Sequence, residues 1–176
     1  LKALTEQKGA ENMAAFQTAL LHDYMDRTKD AEAAYKKALN SAAPPPRVLE
    51  AYGRFLERHG RSDDATALYR RYQNNGGLAT VVRPGLARIA AVQKPESLIR
   101  IPADGAAEAL FGIAASLTDA QSADVSILYL RMALYLRPDL WLGNVLLADR
   151  LESLRKHEAA IAIYQSIPKE SPYYRM

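Results

Sequence analysis

Apolar residues in this chain recur three or four apart and rarely alternate. Leu49, Tyr52, Phe55 and Leu56 form one such run, and Ala65, Leu68, Tyr69 and Tyr72 form another. Residues spaced this way share one side of a helix. Pro44, Pro45 and Pro46 precede the first run, Gly60 divides the two, and Asn74–Asn75–Gly76–Gly77 follows the second. Proline suits a first helical turn, where its missing N–H has no partner to lose. Glycine just past the last turn ends a helix. Ser62 or Asp63 is the expected cap of the second helix, since a short oxygen-bearing side chain can accept an orphan backbone N–H. Residues 46–79 therefore predict an antiparallel helix pair.

The pair recurs. Ala31 and Tyr35 reappear as Ala65 and Tyr69, and Leu117, Ala133 and Pro138 reappear as Leu151, Ile167 and Pro172, in each case 34 residues on. Such a period marks stacked helix–turn–helix units. Four units follow, at 12–45, 46–79, 107–140 and 141–174. In the first, Thr18, Ala19 and His22 stand at the places of Tyr52, Gly53 and Leu56. In the last two, Leu110, Ile113, Ala114 and Leu117 align with Asn144, Leu147, Ala148 and Leu151, and Leu130 aligns with Tyr164. Residues 1–11 read as the end of a preceding helix. Residues 80–106 break the register, as a helix over Pro84–Gln93 stopped by Pro95 and an extended loop over Glu96–Gly105. Ile99 and Ile101 flank Arg100 in that loop. It is either a degenerate unit that bends the stack or a segment whose Leu98–Pro102 lies in a groove or docks a partner. The chain lacks an initial Met and ends inside what reads as a new repeat, so a fragment of a longer protein is expected.

Leu49, Tyr52, Gly53, Leu56, Gly60, Ala65 and Tyr69 resemble the tetratricopeptide repeat pattern. Small Gly53 and Ala65 stand where two helices must touch closely, because a tight pair needs a small residue opposite each bulky one. Tyr72 stands where the family has Ala, Gly77 where it has Pro, and Ser126 where it has Ala. The run from Gly105 to Gly112 and the Leu136-Arg137-Pro138 closure resemble bacterial members. The resemblance implies an all-α fold, a right-handed superhelical stack of antiparallel helix pairs whose first helices line a concave groove. The second, fifth, ninth and twelfth places of each unit would face that groove. They are Met13, Phe16, Leu20 and Asp23 in the first unit and Arg47, Glu50, Arg54 and Glu57 in the second. The third unit offers Glu108, Phe111, Ala115 and Thr118; the fourth offers Leu142, Val145, Asp149 and Glu152. The partner-binding candidates are Arg47, Glu50, Arg54, Glu57, Phe111, Leu142, Val145, Asp149 and Glu152. Met13, Phe16 and Leu20 either seat a partner or receive a neighbouring repeat. Members that grip a peptide's terminal carboxylate carry Lys and Asn at these places, and this chain does not.

Composition narrows the function. Ala and Leu dominate the apolar residues, which favours helices. The formal net charge is +3, and the 90 N-terminal residues hold the basic excess, with 14 basic and 10 acidic side chains. That falls well short of a nucleic-acid footprint. Phe16, Glu50, Phe111 and Val145 at equivalent places form no base-reading code, so a nucleic-acid partner is not expected. No apolar run approaches the ~20 residues of a membrane-spanning helix, so the chain is expected to be soluble. No signal peptide is visible, and bacterial cytoplasm and envelope both stay open. The chain contains no cysteine, which excludes disulfides and thiolate sites. His22, His59 and His157 lack a second ligand at metal-site spacing. Phosphate-loop, Gly-x-Ser-x-Gly and His-Glu-x-x-His motifs are missing as well, so neither a cofactor nor catalysis is expected. Asp63–Asp64 reads as a helix start, where negative charge meets the positive dipole end. The expected role is a non-catalytic scaffold that binds a protein or peptide. The alternative is a structural segment of a larger solenoid or a homo-oligomer. Packing at Ala65 tests the pairing: Ala65→Leu is expected to cost roughly 1–3 kcal/mol by overpacking, and an unchanged melting midpoint would misplace the helices.

Overall fold

The computed structural model describes residues 11–40, 45–169, 171, 173 and 174. Residues 1–10 of the helix end expected over 1–11, together with Pro44 and Pro172, lie outside the described residues, and Glu11 opens the first described helix. The described residues hold nine α-helices and no strand, an all-α architecture. The chain forms two compact units, residues 1–100 and 101–176.

In the first unit, α1 (Glu11–Tyr24) packs on α2 (Thr28–Ala38) and α3 (Pro46–Arg58) packs on α4 (Ser62–Asn74). Helix α2 also meets α3, and α5 (Ala79–Ala90) lies against both α3 and α4. Each tight turn inside a pair uses one left-handed residue, Asp26 at φ 56° and Gly60 at φ 74°. The N–H after it reaches back to close the helix, Arg27 to the His22 carbonyl and Arg61 to the Leu56 carbonyl, both at 2.9 Å. Glycine at 60 takes that conformation without a Cβ penalty. This turn also displaces the expected cap. Arg61 is the N-cap of α4 and makes no side-chain cap bond, while Ser62 and Asp63 are already helical. The Arg61 guanidinium instead holds Asp64 at 2.6 Å.

Small residues set the spacing between helices. Ala19, Ala31, Ala38 and Ala65 are fully buried. A Cβ added at Gly53 would lie 2.0 Å from the Tyr69 hydroxyl oxygen and 2.3 Å from its ring, and one at Gly85 would lie 2.5 Å from the same ring. Tyr69 of α4 is thus held between α3 and α5.

The irregular stretch differs from expectation at both ends. Helix α5 begins at Ala79, with Pro84 inside it. A mid-helix proline gives up a ladder bond, and buried Val82 and Gly85 supply the packing that offsets the loss. Val92, at φ 55°, ends the helix. The following segment is not helical through Arg100, and its Pro95, Leu98 and Ile99 are buried. Leu98 and Ile99 join the apolar core of the first unit. Ile101 is exposed, and the next helix starts at Pro102 rather than after Gly105. Asp104 fixes that start by accepting the Ile101 N–H at 3.3 Å.

In the second unit, α6 (Pro102–Ser116) pairs with α7 (Ala123–Leu136), and α8 (Trp141–Ser153) pairs with α9 (His157–Ser166). Helix α7 also packs on α8. A short 3₁₀ turn, Ala120–Ser122, leads into α7. Ala107, Ala114, Leu130, Ala133, Leu140 and Ala148 form the centre of this core. Ser126, where the repeat pattern has Ala, is fully buried and donates its hydroxyl to the Ala114 carbonyl at 2.9 Å. The exchange therefore adds a bond between α6 and α7 instead of leaving a buried orphan.

Glycine inside an exposed helix is usually improved by alanine, by about 0.5–1 kcal/mol. At Gly53 the sign should reverse. Gly53→Ala is expected to destabilise the chain by about 1–3 kcal/mol, read as a lower urea midpoint with unchanged slope, and Gly53→Ala paired with Tyr69→Leu should regain part of it.

Candidate functional site

The C-terminal turns of α1 and α3 carry the same construction. Asp23, at the end of α1, accepts the Tyr35 hydroxyl at 3.1 Å and the Arg58 guanidinium at 2.5 and 2.7 Å. Glu57, at the end of α3, accepts the Tyr69 hydroxyl at 2.7 Å and Arg88 at 2.9 and 3.0 Å. In both cases the tyrosine comes from the second helix of the same pair, 12 residues on, and the arginine comes from the next first helix. The carboxylate therefore ties its own pair together and to the next one. A buried carboxylate is costly unless paired and hydrogen-bonded, and each of these is held on both counts.

A second bond set runs between α2 and the α3–α4 turn. Glu32 accepts Lys36 and Arg61, both at 2.8 Å, and the Tyr52 hydroxyl at 3.3 Å. The bonds from Lys36 and then Arg61 hold the Glu32 carboxyl down at about 2. Tyr52 stacks on Tyr35 at 5.4 Å and on Phe55 at 6.0 Å, linking the two pairs through aromatic faces. Burial, and then the charge of Glu32, push the Tyr52 hydroxyl up to about 12. Burial and the bond to Glu57 push Tyr69 up further. At Arg88 burial opposes the charge, but Glu57 outweighs it and the guanidinium is held above its ordinary range.

The candidates read from the sequence fall into three groups. Glu57, 6% exposed, belongs to the clasp with Tyr69 and Arg88, which corrects its expected groove exposure. Phe111, 7% exposed, sits in the apolar core of the second unit, a second correction. Arg47 is also buried, at 8%, and pairs with Glu50 at 2.7 Å. Glu50 reaches Arg54 as well, at 2.9 Å. These three form a ladder along α3, with Arg54 the most open at 26% side-chain exposure. Leu142 and Val145 are half-buried, and Leu142 packs against the core. Asp149 and Glu152 are exposed, so the open polar candidates of α8 lie in its second half.

Two features escaped the sequence reading. The clasps were visible only as Asp23/Tyr35 and Glu57/Tyr69, one spacing repeated 34 residues later. In the second unit, Arg137 gathers Glu108 at 2.9 Å, Asp139 at 3.4 Å and Asp104 at 3.9 Å, with Asp104 and Glu108 buried. The Arg137-Pro138 closure of α7 is therefore an electrostatic anchor for α6. Among the described residues no group of three His, Cys, Asp or Glu side chains could hold a metal. No described helix is long and apolar enough to cross a membrane. No protein-family pattern matches this chain, and none of the curated proteins matches it.

The Tyr69 clasp sets an alkaline limit. With its folded-state pKa raised, Tyr69 keeps its proton in the fold while the unfolded chain loses it above about pH 10. The unfolded state then binds fewer protons, so stability present below pH 10 falls as pH rises. Tyr69→Phe is expected to cost about 1–3 kcal/mol at neutral pH through the lost bond to a charged group. It should also make the decline between pH 10 and 12 shallower, measured by urea titration at each pH.

Proposed function

We propose that this chain is a non-catalytic protein-interaction scaffold, built of tetratricopeptide-like helix pairs that present their first helices to a protein or peptide partner. The observation that supports it most is the repeated clasp. Asp23–Tyr35–Arg58 and Glu57–Tyr69–Arg88 join successive first helices at the same point of each pair. Pairs joined in this way set their first helices side by side, and side-by-side first helices make a continuous surface, the usual working face of stacked repeats. In this reading the helix pairs within each unit stack in a right-handed superhelical manner. Each unit offers its own contact residues: Arg54, oriented by Glu50, in the first, and Leu142, Val145, Asp149 and Glu152 in the second.

A structural segment of a larger solenoid is the second reading, favoured by the burial of Arg47, Glu57 and Phe111. Side chains already satisfied inside the fold offer little to a visiting peptide.

Affinity capture separates the two. Immobilised native chain is expected to retain a specific protein that the Arg54→Ala/Asp149→Ala/Glu152→Ala variant releases, with circular dichroism the same for both. A variant that captures the same protein as the native chain would remove the first-helix face from the binding reaction. Capture of nothing specific, together with self-association in sedimentation, would favour the structural reading.

A further inference from the structure

The second helices of the first unit end at a cleft of about 940 Å³, within the size range of ligand sites. One wall is the last turns of α2, with Lys36, Lys37 and Leu39. The other is the last turns of α4, with Leu68, Arg71 and Tyr72; Leu49 and Tyr52 of α3 also line it. Basic residues in a last turn are favoured by the carbonyl end of the helix dipole. Because the ends of α2 and α4 line the same cleft, two such turns bring three cations to one opening. The basic pair Lys36–Lys37 recurs as Arg70–Arg71, 34 residues on, so the repeat itself places charge on both walls. Among the described lining residues there is no carboxylate. Lys36 is engaged by Glu32 at 2.8 Å, while Lys37 and Arg71 form no ion pair with any described residue.

The wall at α4 includes two residues that depart from the repeat pattern, Tyr72 and Gly77. A Cβ at Gly77 would lie 2.3 Å from the Tyr72 ring, closer than van der Waals contact allows, so glycine lets that ring lie along the chain leaving α4. Gly76, at φ 84°, turns the chain there. Tyr72 and Gly77 are thus one adaptation, and its product is an aromatic surface beside Arg71.

We infer that this cleft is a second binding site, which takes a short acidic segment of a partner protein carrying an aliphatic or aromatic anchor. The anchor lies among Leu39, Leu68 and Tyr72, and neighbouring carboxylates meet Lys37 and Arg71. Charge complementarity names the occupant: an apolar pocket whose rim carries cations and no described carboxylate selects acidic-apolar segments over neutral ones. The site is built chiefly from second helices and shares no residue with Arg54, Asp149 or Glu152.

Nuclear magnetic resonance on the full chain tests it, with the acetylated and amidated tetrapeptide Glu-Glu-Leu-Phe as probe. Amide shifts are expected at Leu39, Tyr72, Gly76 and Gly77. They should weaken at least about tenfold in Lys37→Glu/Arg71→Glu, whose exposed side chains leave the fold intact, and weaken again as salt rises. Tyr72→Ala should weaken binding without altering the salt dependence. The Gln-Gln-Leu-Phe analogue should bind poorly. Shifts that are absent, that map to α1 or α8, or that survive charge reversal would overturn the site. Dodecanoate producing the same shifts while the tetrapeptide produces none would overturn the peptide assignment in favour of an amphiphile. The Arg54→Ala/Asp149→Ala/Glu152→Ala variant should bind the probe like the native chain, so failure of the first-helix face and failure of the cleft are distinguishable.

Discussion

A single buried phenol governs the first unit. Tyr69 leaves α4, passes between Gly53 of α3 and Gly85 of α5, and donates its hydroxyl to Glu57. Glu57 is bound in turn by Arg88 of α5. Ring and hydroxyl impose different demands at once. The ring requires two helices without side chains at the crossing, and the hydroxyl requires a carboxylate at its tip. The carboxylate, once buried, requires a cation from the next helix. Three helices are therefore placed by one residue. The same logic, with Asp23, Tyr35 and Arg58, sets the pair before it.

The second unit meets the same need by other means. Its small-residue contact at Ala114 carries a serine hydroxyl in place of a distant phenol, and its charges collect around Arg137. Both solutions consume polar side chains that a repeat-by-repeat alignment would assign to the surface. Among the residues read as candidates from the sequence few stay open, with Asp149 and Glu152 the clearest.

The helical class was legible because it depends on local spacing, as was the start of α3 at its prolines and its end near Gly60. Pro84 misled because a proline rule describes isolated helices, whereas Val82 and Gly85 of α5 are held by tertiary packing. The site was less legible for a related reason. A place in a repeat tells in which direction a side chain leaves its helix; it does not tell what meets that side chain there. Arg88, which covers Glu57, lies 31 residues further along the chain. The bond between Ser126 and Ala114 and the Tyr72–Gly77 contact left traces only as departures from pattern, and each departure marked a place where packing had been rebuilt.

The sandwich at Tyr69 also restricts the order in which this sequence can change over evolutionary time. Gly53 and Gly85 lie 32 residues apart on separate helices, yet neither gains a methyl group without the ring between them having to shift. A lineage that enlarges either glycine loses stability unless it also shortens the tyrosine, and shortening it leaves Glu57 with one partner fewer. Viable descendants are therefore expected to keep all three residues or to replace them as a set.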